Sequence, residues 1–199
     1  LAAHVAALDA ATELPVSVDL EDGFGPEPED ASRAVTVAAD AGAVGGSIED
    51  YDRGGRIYGL GQAAERVAAA ADAARGRGFM LTGRAENHIR GNPDLGDTID
   101  RLQAYEAAGA DVLYAPGLRT ADEIRAVCEA VSKPVNVLAL GGGLTFAEIA
   151  AAGAQRVSVG GGLTWVAARA LVDAATAIRD EGDFSSLAAR LPLDDWLGT

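Results

Sequence analysis

Acidic, basic and amide side chains gather at four places in this sequence, each at or near the end of a short apolar run. The first is PVSVDLEDGFG, Pro15 to Gly25, where Asp19, Glu21 and Asp22 end the run from Val16 to Leu20 and precede Gly23 and Gly25. The run AVGGSIED ends in Glu49 and Asp50, FMLTGRAEN ends in Arg84, Glu86 and Asn87, and KPVNVLAL carries Asn136. Charges are not kept inside a buried parallel sheet, and glycines free the loop that follows, so each run reads as a strand reaching its C-terminal mouth. Such mouths are where α/β proteins build their sites. Asp19, Glu21 and Glu49 at adjacent mouths would repel one another unless a cation lay between them. An arginine there offers a fixed fork of donors to a carboxylate or phosphoryl group. The plainer readings are that the acids cap helices or pair in loops, and that Arg84 makes a structural salt bridge to Glu86 or Asp111.

These side chains need a scaffold, and the rest of the chain supplies one. LAAHVAALDAA has amphipathic helical spacing, and His4 within it reads as structural. EPEDASRAVTVAADAG is a helix with acids in its first turn and a stop at Gly42. YDRGGRIYGLG, rich in glycine, arginine and aromatics, has the composition of a loop that covers a site. A long helix then runs to Arg75, HIRGNPDLGD is loop with His88 on the surface, and Asp97 or Thr98 caps DTIDRLQAYEAAG. ADVLYAPG is a strand and TADEIRAVCEAV a helix capped by its threonine, with Cys128 as a buried small residue. KPVNVLAL, TFAEIAAAG, RVSVGGG and LTWVAARALVDAATAIRDEG complete the alternation before a tail ending DDWLGT. About six strand–helix units in unbroken alternation predict a parallel sheet with helical crossovers in one domain, residues 1–199.

Composition narrows the partners. The net charge of -14 argues against nucleic acid or an anionic membrane, both of which are bound through an excess of Lys and Arg. No apolar run approaches the roughly 20 residues of a membrane span, no basic-then-apolar leader opens the sequence given, and a cytoplasmic location is expected. One cysteine allows no internal disulfide.

Taken in order, the blocks LPVSVDLEDGFG, GAVGGSIED, AAERVAAAADAA, FMLTGRAEN, DTIDRLQAYEAAGADVLYAPG, KPVNVLAL and AAGAQRVSVGGGL resemble the isocitrate lyase and phosphoenolpyruvate mutase superfamily. The resemblance implies a (β/α)8 TIM-type barrel and an enzyme that uses Mg2+ to hold the enolate of a small 2-oxo acid, with Mn2+ as the alternative metal. It implies carbon–carbon cleavage, decarboxylation or phosphoenolpyruvate hydrolysis on an oxaloacetate-, phosphoenolpyruvate- or substituted-malate-like substrate. Position by position, Asp19 resembles the direct metal ligand, and Glu21 and Glu49 resemble acids that hold the metal largely through its waters. Arg84 resembles the arginine at the substrate's anionic end, and Asn136 the amide presented to the site. Glu49 and Arg84 are the catalytic candidates. Asp22 is placed in the loop, outside the ligand set. Magnesium suits such a set, since it prefers oxygen ligands and keeps several waters.

The departures are equally specific. The cysteine of the lyases' KKCGH-like loop is absent from YDRGGRIYGLG, as are the mutases' EDK-type loop and asparagine–serine pair. The first two strand–helix units, with a serine–glycine loop and a further metal-linked aspartate, have no counterpart in this sequence. Two other readings therefore stay open. One is a non-catalytic degenerate barrel serving binding or assembly. The other is a phosphosugar enzyme using Gly141 to Gly143 and Gly160 to Gly162, since glycine-rich loops after late barrel strands bind phosphate. The closing helix is apolar on much of its circumference, with Trp165, Val166, Leu171, Val172 and Ile178. Together with the family's habit of exchanging its eighth helix, this predicts a homodimer or dimer of dimers.

Overall fold

The computed structural model describes residues 1–188, so the DDWLGT tail lies outside the described residues. Its contacts fall into two compact units, Leu1–Ser158 and the segment from Val159 onward.

The first unit opens with α1 (Ala2–Asp9), followed by β1 (Ser17–Asp19), α2 (Pro28–Asp40), β2 (Gly45–Glu49), α3 (Leu60–Ala74) and β3 (Met80–Arg84). A 3-10 turn at Asn87–Ile89 leads to α4 (Leu95–Ala107), β4 (Val112–Tyr114), α5 (Ala121–Ala130), β5 (Val135–Leu138), α6 (Phe146–Ala151) and β6 (Arg156–Ser158). All six strands are parallel and hydrogen-bonded in chain order, each returned by a helix. Parallel strands demand such crossovers. Strands neighbouring in both sequence and space are the arrangement of a (β/α)8 TIM-type barrel, of which the described residues supply six strands.

Alternation along the strands divides the faces. Ile48, Leu81, Leu113, Val135 and Val137 are buried in the apolar core with Val35, Val67, Leu102, Ile124 and Val127 of the helices. Between them, Gly46 lets strands and helices close up: a Cβ there would meet Phe79 Cζ and the Val18 carbonyl at 2.9 Å. The opposite face carries Ser47, Glu49, Thr82, Arg84, Tyr114 and Asn136.

Most helix ends agree with their sequence signals. Thr120 and Thr145 cap α5 and α6 through capping boxes with Glu123 and Glu148, Glu29 and Asp30 occupy the first turn of α2, and Gly42 follows that helix at φ 102°. Two expectations are corrected. The cap of α4 is Asp94, which accepts the Gly96 and Asp97 amides, because Thr98 is fully buried and bonded to Asn87. And α1 has no apolar face: Val5 is its one buried residue, and His4 is exposed.

In the second unit, α7 (Gly162–Glu181) runs to a left-handed Gly182. It buries no residue, and Leu163, Trp165, Val166, Leu171 and Val172 are all exposed.

Candidate functional site

The parallel register sets the site. Glu49 pairs with Arg84, Arg84 with Tyr114, Tyr114 with Asn136 and Asn136 with Arg156, so one row of polar residues crosses β2 to β6. Paired residues of parallel strands share a face, and Asp19 joins it through its pairing with Ser47, whose hydroxyl donates to Asp19 Oδ1 at 3.3 Å.

Arg84 is the hub. Its Nη1 lies 3.1 Å from Asp19 Oδ2 and 3.3 Å from Glu49 Oε2, its Nε lies 2.5 Å from Glu86 Oε1, and the guanidinium carbon stands 5.2 Å from the centroid of the Tyr114 ring. Burial works against its charge, but Glu86, Glu49 and Asp19 outweigh it and hold the guanidinium above its ordinary value. Glu49 is 5 % exposed, and burial pushes its carboxyl up to about 7 against the pull of Arg84, with Glu86, Asp19 and Glu21 adding repulsion. Burial also raises the Tyr114 phenol, opposed by Arg84 and by a hydrogen bond with Ser158. The expected structural pairing of Arg84 with Glu86 is thus present together with its contacts to the acids at the strand mouths; Asp111 instead accepts the Leu81 amide at 2.9 Å.

Glu21 begins the loop after β1 in a left-handed conformation, φ 52°, uncommon for a residue with a Cβ. Its carbonyl accepts the Glu49 amide at 2.9 Å, which ties the loop to the next strand mouth. Strain of this kind gathers at functional sites. Glu21 and Glu49 line one cavity of about 270 Å³ together with the loop Tyr51–Gly55. That loop folds back on itself through a Tyr51–Ile57 bridge, with Asp52 accepting the Arg56 amide at 2.8 Å.

Asn136 is 3 % exposed. Its Nδ2 donates to Ser158 Oγ at 2.9 Å, while its buried Oδ1 has no hydrogen-bond partner among the described residues. Such an acceptor calls for a donor.

The donor set suits a hard divalent cation. Asp19 and Glu49 each bring an oxygen within 3.3 Å of one nitrogen, and Glu21 lines a cavity together with Glu49. Among the described residues no three acidic, histidine or cysteine side chains form a closed metal cluster. A cation that keeps most of its waters needs only a few protein oxygens, so the open arrangement fits Mg2+.

Several residues differ from their sequence reading or escaped it. Asp22 is 4 % exposed: it accepts the Phe24 amide at 3.0 Å and the Tyr58 hydroxyl at 3.5 Å, and the buried Arg66 donates to its carbonyl. His88 is half-buried, and its Nδ1 has no partner among the described residues. Fully buried Glu86 bonds both Arg84 and, at 2.8 Å, Arg90. Asp50, beside Glu49, accepts the Glu86 amide at 2.8 Å, Arg101 Nη1 at 2.9 Å and the Tyr105 hydroxyl at 2.5 Å. This buried knot fixes the mouths of β2 and β3 from behind. The spacing of Asp97 and Arg101, one helical turn apart and paired at 3.1 Å, was its sequence signal.

A second cavity, of about 260 Å³, lies beside the Gly141–Gly143 loop and is walled by Leu118, Ile124, Val137 and Leu144. The N-terminus of α6 beyond it is already taken by Glu148, which accepts the Thr145 amide at 2.8 Å.

Known proteins are similar to this chain in sequence and fold. A provisionally assigned lyase/mutase of Burkholderia cenocepacia J2315 is 50% identical in sequence, with a TM-score of 0.92 over 100% of this chain and 74% of its own. Phosphonopyruvate hydrolase, crystallised with oxalate and Mg2+, is 26% identical, with a TM-score of 0.82 over 99% of this chain and 73% of its own. Oxaloacetate decarboxylase of Rhodopseudomonas palustris (strain BisB5) is 32% identical over 90% of this chain and 64% of its own. The chain spans about half the length of the first curated relatives it matches, 42% and 48%. Residues 1–179 match the family described as phosphoenolpyruvate phosphomutase. With the parallel barrel strands and the polar row across their mouths, that match places the chain in the phosphoenolpyruvate phosphomutase family, within the phosphoenolpyruvate mutase/isocitrate lyase superfamily.

Proposed function

We propose that the protein is a Mg2+-dependent enzyme, with Mn2+ as the alternative metal, acting on a small 2-oxo or enol carboxylic acid by carbon–carbon cleavage, decarboxylation or hydrolysis. The observation that carries this reading is the convergence of Asp19 and Glu49 on Arg84, on the face where Asn136 keeps a buried acceptor unpaired. Relatives named oxaloacetate decarboxylase and phosphonopyruvate hydrolase support the substrate class.

In this reading Asp19, Glu21 and Glu49 hold the metal, which when bound supplies a Lewis acid where negative charge develops on the substrate oxygen. Arg84 then gives its donor fork to the substrate's anionic end, with Glu86 fixing the plane of the guanidinium through Nε. Asn136 Oδ1 accepts a hydroxyl or enol O–H, and its Nδ2 is already engaged by Ser158. The loop from Tyr51 to Gly55 lines the cavity beside Glu21 and Glu49. The unburied apolar residues of α7 support assembly as a homodimer or dimer of dimers, since soluble chains rarely leave so many large apolar side chains in water.

Turnover of oxaloacetate, phosphoenolpyruvate and substituted malates, each measured in Mg2+ and in EDTA, tests the reading. Activity with at least one of them, lost in EDTA, is expected. No turnover of any, or equal turnover in both conditions, contradicts it.

A further inference from the structure

The cavity beside Glu49 is lined by side chains of both charges. Glu21, Asp22, Glu49 and Asp52 line it as acids, and Arg53 and Arg90 as its cations. At about 270 Å³ it falls below the range for drug-sized ligands and suits a small acid.

Arg90 is held in an unusual way. Its Nε bonds Glu86 Oε2 at 2.8 Å while Arg84 Nε bonds Oε1 of the same carboxylate, so one buried residue sets two guanidiniums side by side. The Arg90 guanidinium lies 4.0 Å from the centroid of the Tyr51 ring, which fixes its plane against the cover loop. Its two terminal nitrogens have no hydrogen bond or salt bridge among the described residues, and the side chain remains 37% exposed. Arg53, 5.4 Å from the centroid of Phe24, also forms no salt bridge there. Two pre-oriented cationic forks flanking one carboxylate match a ligand with two anionic ends. A single carboxylate would use one fork and leave the other idle.

We infer that Arg90 binds the second carboxylate of a dicarboxylic substrate whose first anionic end lies at Arg84. This narrows the substrate class and rests on the function proposed above. Arg90 thereby selects diacids whose carboxylates are separated over acids that end short of it, and Tyr51 couples that selection to the loop.

Calorimetric titration in Mg2+ with two probes separates the possibilities. Oxalate joins its two carboxylates directly and so serves as the short diacid confined to Glu49 and Arg84, whereas 3,3-difluorooxaloacetate sets its second carboxylate two carbons away from the first. Losing a charge-assisted hydrogen bond costs roughly tenfold or more in affinity. Arg90→Met should therefore weaken the fluorinated diacid at least tenfold and oxalate less than threefold. Arg90→Lys keeps the ion pair with Glu86 but not the fork, and should weaken the fluorinated diacid alone by a smaller factor; it decides the matter should Arg90→Met not fold. Equal weakening of both probes, or none for the fluorinated diacid, overturns the inference and makes Arg90 a support for Glu86. Wild-type protein that binds oxalate but gains nothing from the separated second carboxylate also overturns it, with the site reading intact. Binding of neither probe by wild type overturns the site reading itself.

Discussion

Arg84 Nη1 lies 3.3 Å from Glu49 Oε2, across two neighbouring strands whose register pairs these residues directly. The guanidinium is the counter-charge of a buried acid, and a cation held by Asp19 and Glu49 would take over that task. Arg84 would then be free to face an anion. Under the proposed function, the arginine that steadies the strand mouths without metal would serve as the substrate clamp with it.

Removing the acid while keeping its shape tests this exchange. Glu49 is almost fully buried and its charge opposes folding, while Arg84 retains Asp19 and Glu86 as partners. Glu49→Gln should leave the metal-free protein at pH 8 as stable as wild type or more so, and should lose stabilisation by Mg2+. Thermal unfolding with and without Mg2+ reads both effects.

Asp50 makes a different prediction, since its partners Arg101 and Tyr105 are buried with it. Tyr105→Phe removes one hydrogen bond and should cost about 1–2 kcal/mol. Asp50→Ala takes the acceptor from the Glu86 amide, Arg101 and Tyr105, leaves Arg101 only Asp97 as counter-charge, and should cost about 3–5 kcal/mol. Urea unfolding at neutral pH gives the ranking, and equal costs would mean that the knot is not the support described.

The capping boxes predict a pH dependence. Glu123 accepts the Arg119 and Thr120 amides at 2.8 and 3.0 Å, and these bonds hold its carboxyl below the usual range. A lowered folded pKa means stability that is present above the ordinary carboxylate value and lost as pH falls through the folded one. Glu123→Gln, which keeps a hydrogen-bonding group but no charge, should cost a few tenths to about 1 kcal/mol at pH 7, and the difference should fade below about pH 4. Melting curves from pH 3 to 7 show whether it does.

Backbone proximity gives a further test. Gly46 has no room for a methyl group between Phe79 and the Val18 carbonyl, so Gly46→Ala should destabilise by about 1–3 kcal/mol through forced movement of β1. Chemical denaturation measures it.

The sequence revealed those features that depend on neighbouring residues. Thr120 and Thr145 stand three residues before glutamates, and the structure places a capping box at each. Strand mouths were legible because apolar runs end abruptly in charge, as at Glu49 and Arg84. What was not legible arises from distant parts of the chain. Asp22 reads as a loop acid until Tyr58 and Arg66, brought in by α3 and the segment before it, close over it. Glu86 gives no sign in sequence that Arg84 and Arg90 will share it. Asp94 lost to Asp97 and Thr98 as the expected cap of α4 because the demand of Asn87 for Thr98 is tertiary. The apolar spacing of α1 implied a buried face that packing against α2 does not provide beyond Val5.

The central claim is a divalent cation held by Asp19 and Glu49, and Mg2+-induced stabilisation of wild type, Asp19→Asn and an exposed-acid control measures it directly. Asp72, paired only with Arg75 on the outside of α3, is the control, since the burial of Asp22 disqualifies it. At about 100 times its Kd, Mg2+ should stabilise wild type by roughly 2.7 kcal/mol, a rise of several degrees in Tm for a chain of this size. Asp72→Asn should keep that rise and Asp19→Asn should lose it. A wild-type Tm unmoved by Mg2+, or an equal rise in Asp19→Asn, would contradict the metal site.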